Sequence, residues 1–244
     1  PFVKIKMTGF VQIFFYFYVQ IKWYTLTGSR KKFQAKKNYD IIFWDFDGVI
    51  KESLNAKSEA FKLLFQNESI EVQNFIENHH MNNGGVSRYE KMPIYLNYAG
   101  KFFNNDIIND YCDKFSSLVT KNVIESNWVN GVFNFLNKNY NNKIFCVLTA
   151  TPQTEIEYIL KELEISTFFK FIIGYPTKKE IAISNVLKNY GISKNKAVMI
   201  GDSISDFNSA SINNIDFVLR LHDTNNDLFT KINSMYLTNF NCNE

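Results

Sequence analysis

The chain has 244 residues, of which 45% are hydrophobic and 21% are charged, and its formal net charge is +3. This length suits one large domain or a domain with an inserted piece, and the composition excludes an intrinsically disordered chain. The small net charge also argues against a nucleic-acid partner, because nucleic-acid binders concentrate positive charge on one face.

Residues 1–38 differ from the rest of the chain and form an N-terminal extension of uncertain nature. An aromatic and aliphatic run covers residues 10–26, and a basic stretch follows at residues 30–37. The run contains Gln12 and Lys22 and is shorter than the roughly 20 apolar residues that a membrane-spanning helix needs. We therefore favour a non-native extension or a segment that packs as extra strands over a membrane anchor.

Residues 53–127 are predicted to be an all-helical cap domain that interrupts the core. The apolar run Ile41–Trp44 predicts a buried strand shortly before it. Helical spacing of apolar residues then recurs, without any strong strand pattern, at about residues 53–66, 72–79 and 115–119. The core is therefore expected to consist of residues 39–52 and 128–244.

Strands and helices alternate after the cap, which is typical of a doubly wound parallel sheet. The last strand is expected at residues 217–219, after apolar runs at residues 144–148, 171–173 and 197–200. One helix is expected to have Thr151 as its N-cap and Pro152 as its first residue. Another is expected to end at Gly191. The predicted fold class is therefore α/β, a Rossmann-like parallel sheet with an inserted helical cap.

Two aspartates follow the first core strand. Asp45 and Asp47 are two residues apart, so their carboxylates point the same way in an extended segment, and Gly48 permits a sharp turn after them. One carboxylate could attack a substrate while the other moves a proton, as covalent carboxylate catalysis requires. The alternative is an acidic loop with a turn glycine.

A second pair of aspartates, Asp202 and Asp206, follows the strand at residues 197–200. Carboxylate oxygens in such a cluster suit a hard cation such as Mg²⁺, and the alternative is that they cap a helix. Both acid pairs stand at the ends of predicted strands. Because ligands bind outside the carboxyl ends of strands in open α/β sheets, we favour one shared site.

A phosphate ester would also need hydrogen-bond donors and positive charge at this edge of the sheet. Thr149 follows a predicted strand and offers a hydroxyl and a backbone N–H. Lys178 or Lys179 offers an ammonium group. Taken singly, such a threonine is usually a helix cap and such a lysine is usually solvated. Both are candidate phosphate contacts only because of their positions between the two acid pairs.

In this order, the four segments resemble the motifs of the haloacid dehalogenase superfamily of phosphohydrolases, over about residues 39–222. Asp45-Phe46-Asp47-Gly48-Val49-Ile50 resembles the first motif and Thr149 the second. Lys179, with Lys178 as the alternative, resembles the third, and Gly201-Asp202-Ser203-Ile204-Ser205-Asp206 the fourth. The helical block resembles the cap of the subgroup that includes phosphoglycolate phosphatases and β-phosphoglucomutases.

The resemblance implies a hydrolase that forms an aspartyl-phosphate on Asp45. Asp47 would protonate the leaving oxygen and then activate the water that hydrolyses the intermediate. Thr149 and Lys179 would hold the phosphoryl group. Dehalogenases of this superfamily lack the second acid, so the presence of Asp47 favours phosphate chemistry.

The resemblance also implies Mg²⁺ as cofactor, bound by Asp45, by the backbone carbonyl of Asp47 and by Asp202, with Asp206 in support. The expected partner is a small phosphorylated metabolite such as a sugar phosphate, and the expected function is a phosphatase. The alternatives are a sugar phosphomutase of the same fold and a non-catalytic binding protein that keeps the fold.

Arg88 is a candidate substrate contact in the cap, because it follows the flexible pair Gly84–Gly85. The alternative is a surface arginine that pairs with Glu90 or another acid. His79 and His80 are expected to be cap surface or packing residues rather than ligands.

The three cysteines, Cys112, Cys146 and Cys242, have no metal-type spacing. Their odd number and their scatter along the chain predict a reducing compartment without a disulfide framework. We therefore expect a cytoplasmic protein.

Overall fold

The computed structural model describes residues 31–32, 38–230, 232 and 234–241. Within these residues, the strands are β1 Lys31–Lys32, β2 Ile41–Trp44, β3 Ile144–Pro152, β4 Phe171–Tyr175, β5 Ala197–Gly201, β6 Asp216–Arg220 and β7 Met235–Leu237. They form one parallel sheet in the order β1-β7-β6-β5-β2-β3-β4. The predicted parallel α/β sheet is confirmed.

In the part of the chain that the structure describes, eight α-helices surround the sheet or form the inserted block. They are α1 Leu54–Leu64, α2 Ile70–Asn82, α3 Arg88–Tyr98, α4 Asn105–Glu125, α5 Val132–Asn139, α6 Gln153–Glu162, α7 Lys179–Tyr190 and α8 Ile204–Asn213. The first four fill the segment predicted as the cap, and the other four alternate with strands. The sequence patterns did not single out α3 and α5.

The sheet is buried on both faces because successive side chains of a strand point in opposite directions. In β2, Ile42 and Trp44 enter one hydrophobic core while Ile41 and Phe43 enter the other. Helices α5 and α6 contribute to the first core, and α7 and α8 contribute to the second. This two-sided burial explains why the strands read as uninterrupted apolar runs.

The chain crosses between the core and the helical block at two neighbouring segments. Lys51 and Trp128 form an antiparallel bridge there. The Glu52 N–H donates to the Asn127 carbonyl at 2.8 Å, and the Val129 N–H donates to the Ile50 carbonyl at 3.0 Å. The two crossings are therefore hydrogen-bonded to each other, although the division into a core domain and a cap domain stays a prediction.

The structure corrects two sequence expectations. The sheet does not end at β6, because β7 and β1 extend it, and neither of these two- and three-residue strands is long enough to show a periodic pattern. Strand β3 runs through Pro152, which pairs with Tyr175, so the N-cap of α6 is Pro152 rather than Thr151 and the helix begins at Gln153 rather than at Pro152. Helix α7 ends before Gly191, as expected.

The apolar run at residues 10–26 lies outside the described residues. Among the helices that are described, none combines the length and the hydrophobicity that crossing a membrane requires.

Candidate functional site

Polar residues from four strand ends meet at one edge of the sheet. Asp45 follows β2, Thr149 lies in the last part of β3, Asp202 follows β5 and His222 follows β6. Strand β2 lies between β3 and β5, and β6 lies beyond β5. Parallel strands place their carboxyl ends at the same edge, so residues that are far apart in sequence become neighbours.

Three carboxylates form the centre of this edge. Asp45, Asp202 and Asp206 are buried, and one oxygen of each lies within 4.8 Å of the others. Burial and the charge of Asp206 raise the pKa of Asp45 well above its ordinary value, and the same two causes raise the pKa of Asp202 to about 8. Asp45 and Asp202 therefore bind protons more tightly than isolated acids.

Lys179 is the lysine that the fold brings into this cluster. Its Nζ lies 2.9 Å from Asp45 Oδ1 and 2.6 Å from Asp206 Oδ1. Burial alone lowers the pKa of Lys179, but the two aspartates outweigh it and raise the pKa above its ordinary value. Lys178 is exposed at the N-cap of α7, so of the two candidates only Lys179 contacts the acids.

The carboxylate cluster fits a hard divalent cation. One lysine offsets only part of the charge of three carboxylates, and oxygen ligands are the set that Mg²⁺ prefers. A bound cation would favour the ionised form of Asp45 and Asp202 and would lower their pKa values.

Asp206 also caps α8. Its Oδ2 accepts hydrogen bonds from the Ser203 N–H at 3.1 Å and from Ser203 Oγ at 2.6 Å. Ser203 in turn accepts from the Asp206 N–H, which completes a capping box. The capping alternative therefore holds for Asp206. The same side chain also contacts Lys179 through its other oxygen, so it has both roles.

Asp47 has a different environment from Asp45. Its carboxylate accepts hydrogen bonds from Ser53 Oγ at 2.6 Å and from Lys57 Nζ. Burial raises the pKa of Asp47, but the charge and hydrogen bond of Lys57 outweigh it and lower the pKa. Two carboxylates whose pKa values are shifted in opposite directions are suited to two different tasks.

Gly48 allows the turn that brings this loop against the acid cluster. Its φ angle is +73°, and a Cβ at this position would collide with the carboxylate of Asp202. The glycine of the first acid segment is therefore required by a close approach as well as by the turn.

A cavity of about 270 Å³ opens at the acid cluster, between the sheet edge and the helical block. Its sheet side includes Asp45, Asp47, Thr149, Asp202 and His222, and its helical side includes Lys57, His80 and Lys91. Thr149 is buried and borders the cavity, as its predicted role as a phosphoryl contact requires.

Arg88 does not border this cavity, so the prediction that it contacts the substrate there is wrong. Its guanidinium donates to both carboxylate oxygens of Glu155, at 2.9 and 2.6 Å, and to Ser116 Oγ at 2.5 Å. It also lies 4.5 Å from the ring centre of Phe115. The ion-pair alternative therefore holds for Arg88, with Glu155 as the acid, but the arginine is buried rather than on the surface.

His222 also belongs to the site, although no motif in the sequence points to it. His222 Nε2 lies 3.0 Å from Asp202 Oδ2. Burial and the nearby Arg220 lower the pKa of His222 to about 4, so the ring is neutral at pH 7. The histidine stands two residues after β6, and the strand-end rule that selected the aspartates also applies to it.

The sequence patterns did not single out Ser53 and Lys57. Ser53 lies just before the first helix of the inserted block, and Lys57 lies within that helix. A serine before a helix and a lysine within one are common surface residues, so neither carries a signal of its own. Both are near in sequence to Asp47 and reach it as α1 begins.

Lys91 is a second buried lysine beside the cavity. It is 2% exposed and its Nζ lies 3.1 Å from Nδ1 of His80. Burial and the charge of Lys57 lower the pKa of Lys91 from 10.5 to about 7. The folded protein therefore releases this proton at a lower pH than the unfolded chain.

The pKa of Lys91 predicts a rise in stability with pH. Between about pH 7 and pH 10.5 the unfolded chain binds more protons at this residue than the folded protein, so folding becomes more favourable as the pH increases. Lys91→Met should be more stable than the wild type at pH 7, and the difference should shrink towards pH 10. Urea unfolding across this range measures it, with the exposed Lys121→Met as control. A stability difference that stays constant with pH would contradict the prediction.

A family model described as haloacid dehalogenase-like hydrolase matches residues 41–219. Among curated protein sequences, none matches the chain.

Solved structures share the fold at low sequence identity. CbbY from Rhodobacter sphaeroides, in complex with phosphate, is 14% identical with a TM-score of 0.67, and the match covers 83% of this chain and 95% of that one. A "predicted phosphoglycolate phosphatase" from Haemophilus somnus is 17% identical with a TM-score of 0.65, covering 84% and 96% of the two chains. A "predicted phosphatase" from Clostridium acetobutylicum is 18% identical with a TM-score of 0.63, covering 83% and 95%.

Proposed function

The chain belongs to the family of haloacid dehalogenase-like hydrolases, and on that premise we propose that it is a Mg²⁺-dependent phosphatase that hydrolyses a small phosphorylated metabolite through an aspartyl-phosphate. The observation that carries the proposal is the cluster of Asp45, Asp202, Asp206 and Lys179 beside a cavity that Asp47 also borders. Two solved structures of the same fold are consistent with it, one a complex with phosphate and the other a "predicted phosphoglycolate phosphatase".

Asp45 is the proposed nucleophile. Its carboxylate forms a bond to phosphorus while the bond from phosphorus to the ester oxygen breaks, and Asp47 gives that oxygen a proton. Asp47 then accepts a proton from water, the water oxygen bonds to phosphorus, and the Asp45 carboxylate leaves. The first step needs the protonated form of Asp47 and the second step needs its ionised form, and the lowered pKa of Asp47 favours the second.

The phosphoryl oxygens are held by Lys179 and Thr149 in this proposal. Mg²⁺ would be held by the carboxylates of Asp45, Asp202 and Asp206, and by the backbone carbonyl of Asp47. When bound, the cation supplies positive charge that offsets the charge of the phosphoryl oxygens.

Removal of the metal is the direct test. Phosphate release from p-nitrophenyl phosphate should fall at least about a hundredfold with EDTA, because such charge stabilisation is worth several kcal/mol and each ~1.4 kcal/mol is tenfold in rate. Activity should return when excess Mg²⁺ is added. Hydrolysis that continues unchanged in EDTA would contradict the metal assignment, and no hydrolysis under any condition would contradict the phosphatase.

The proposed location is the cytoplasm. Cys112 and Cys146 are buried as free thiols, which suits a reducing compartment.

A further inference from the structure

Lys91 is a buried cation without an acidic partner among the described residues. Its one polar side-chain contact there is His80, whose ring lies 4.8 Å from that of Phe61. Because a charged lysine has only donors, Lys91 donates to Nδ1, and His80 carries its own proton on Nε2. Both side chains border the cavity, so each offers a donor on its helical side.

The acids around Lys91 are engaged elsewhere. Glu77 and Glu59, which also border the cavity, both pair with Lys62, and Asp47 pairs with Lys57. None of these carboxylates forms an ion pair with Lys91 in the part of the chain that the structure describes. The helical side of the cavity therefore holds a buried lysine without an acidic partner among the described residues, and an anion beside it would favour its charged form.

Arg88 shows what a partnered cation looks like on the same helix. It lies three residues before Lys91 in α3, is similarly buried, and makes two hydrogen bonds to Glu155. Burying a cation without such a partner is costly, and the lowered pKa of Lys91 reflects that cost. An anion that enters the cavity would supply the missing counter-charge.

We propose that Lys91 and His80 form a subsite for a second anionic group, a carboxylate or a phosphate, on the substrate whose phosphoryl group lies at Asp45. This inference rests on the proposed function, since it takes the acid cluster with Lys179 as the place of the reacting phosphate. The substrate class is then a small phosphate ester that carries another anion at its far end.

The size and charge of the cavity agree with such a ligand. A volume of about 270 Å³ suits a small metabolite rather than a polymer. Lys91 borders the cavity on its helical side, and on the sheet side Lys179 contacts Asp45, which borders the cavity. Lys57 adds to the positive potential at Lys91 and at His80.

Binding of non-hydrolysable phosphonates tests the subsite without catalysis. Ethyl-, propyl- and butylphosphonate each have one anion, while phosphonoacetate, 3-phosphonopropionate and 4-phosphonobutyrate add a terminal carboxylate at the same lengths. Bisphosphonates of the same lengths add a phosphonate instead. Dissociation constants are measured by calorimetry with Mg²⁺ in excess, for the full chain and for Lys91→Met and Lys91→Arg.

For at least one chain length, the ligand with a terminal anion should bind the wild type about tenfold more tightly than the alkylphosphonate of that length. The gain should largely vanish in Lys91→Met and should persist in part in Lys91→Arg. Whether the carboxylates or the bisphosphonates gain more identifies the second anion. Lys91→Met should fold, since it replaces an unpartnered buried charge by an apolar chain of similar length, and Lys91→Gln serves as a second neutral variant.

The outcomes separate the subsite from the proposed function. If the alkylphosphonates bind but a terminal anion adds nothing at any length, the subsite is overturned and the phosphatase stands. The same holds if the gain survives in both neutral variants. If no phosphonate binds at all with Mg²⁺, both are overturned.

Discussion

Asp45→Asn should lower phosphate release from p-nitrophenyl phosphate by at least about a thousandfold, because the amide cannot form the aspartyl-phosphate. The fold should persist, since an amide keeps the size of the carboxylate and relieves repulsion from Asp206 and Asp202. Rates are measured with Mg²⁺ in excess, and far-ultraviolet circular dichroism checks the fold.

The matched control for this variant is Asp110→Asn, which changes the same side chain on the exposed face of α4. It should leave the rate within about twofold. Turnover of Asp45→Asn near the wild-type rate would exclude Asp45 as the nucleophile, whatever the other residues do.

Arg88→Met should lower the free energy of unfolding by about 3–5 kcal/mol, because it leaves the Glu155 carboxylate buried without its cation. The two side chains are 4% and 9% exposed, so water cannot replace the lost partner. Ser116 Oγ would remain as one donor to Glu155, at 2.7 Å. Urea unfolding at pH 7 measures the change.

An exposed ion pair gives the contrast for this variant. Asp110→Asn removes the partner of Lys114 on the surface of α4 and should cost no more than about 0.5 kcal/mol. The double variant Arg88→Met, Glu155→Leu should recover much of the lost stability, because no buried charge remains. A loss below about 1 kcal/mol in Arg88→Met would show that the pair is not sequestered from water.

The sheet and the acid residues were predictable because each depends on a local pattern. Strands buried on both faces are continuous apolar runs, so the ends of β2 and β5 stand out, and Asp45 and Asp202 stand at those ends. The two strands beyond β6 were not predictable, since β1 consists of two lysines and β7 of three residues.

Contacts between the helical block and the sheet could not be predicted from local pattern. The acid that pairs with Arg88 lies 67 residues away, and nothing in the sequence distinguishes Glu155 from other glutamates. Lys57 and Lys91 look like ordinary solvated lysines of amphipathic helices until their burial beside the cavity is seen. Tertiary packing decides which of the many lysines lose their water.

The inserted block contacts the sheet and its loops through polar contacts at several places. One is the crossing, where Lys51 donates to the Ile124 carbonyl at 3.0 Å, and another is the pair of Arg88 and Glu155. A further contact lies at the acid site itself, because Lys57 of α1 donates to Asp47 and to Thr151 Oγ1. Any opening of the block that moves α1 away from the sheet edge therefore separates Lys57 from Asp47, and Asp47 then loses the positive charge that holds its pKa low.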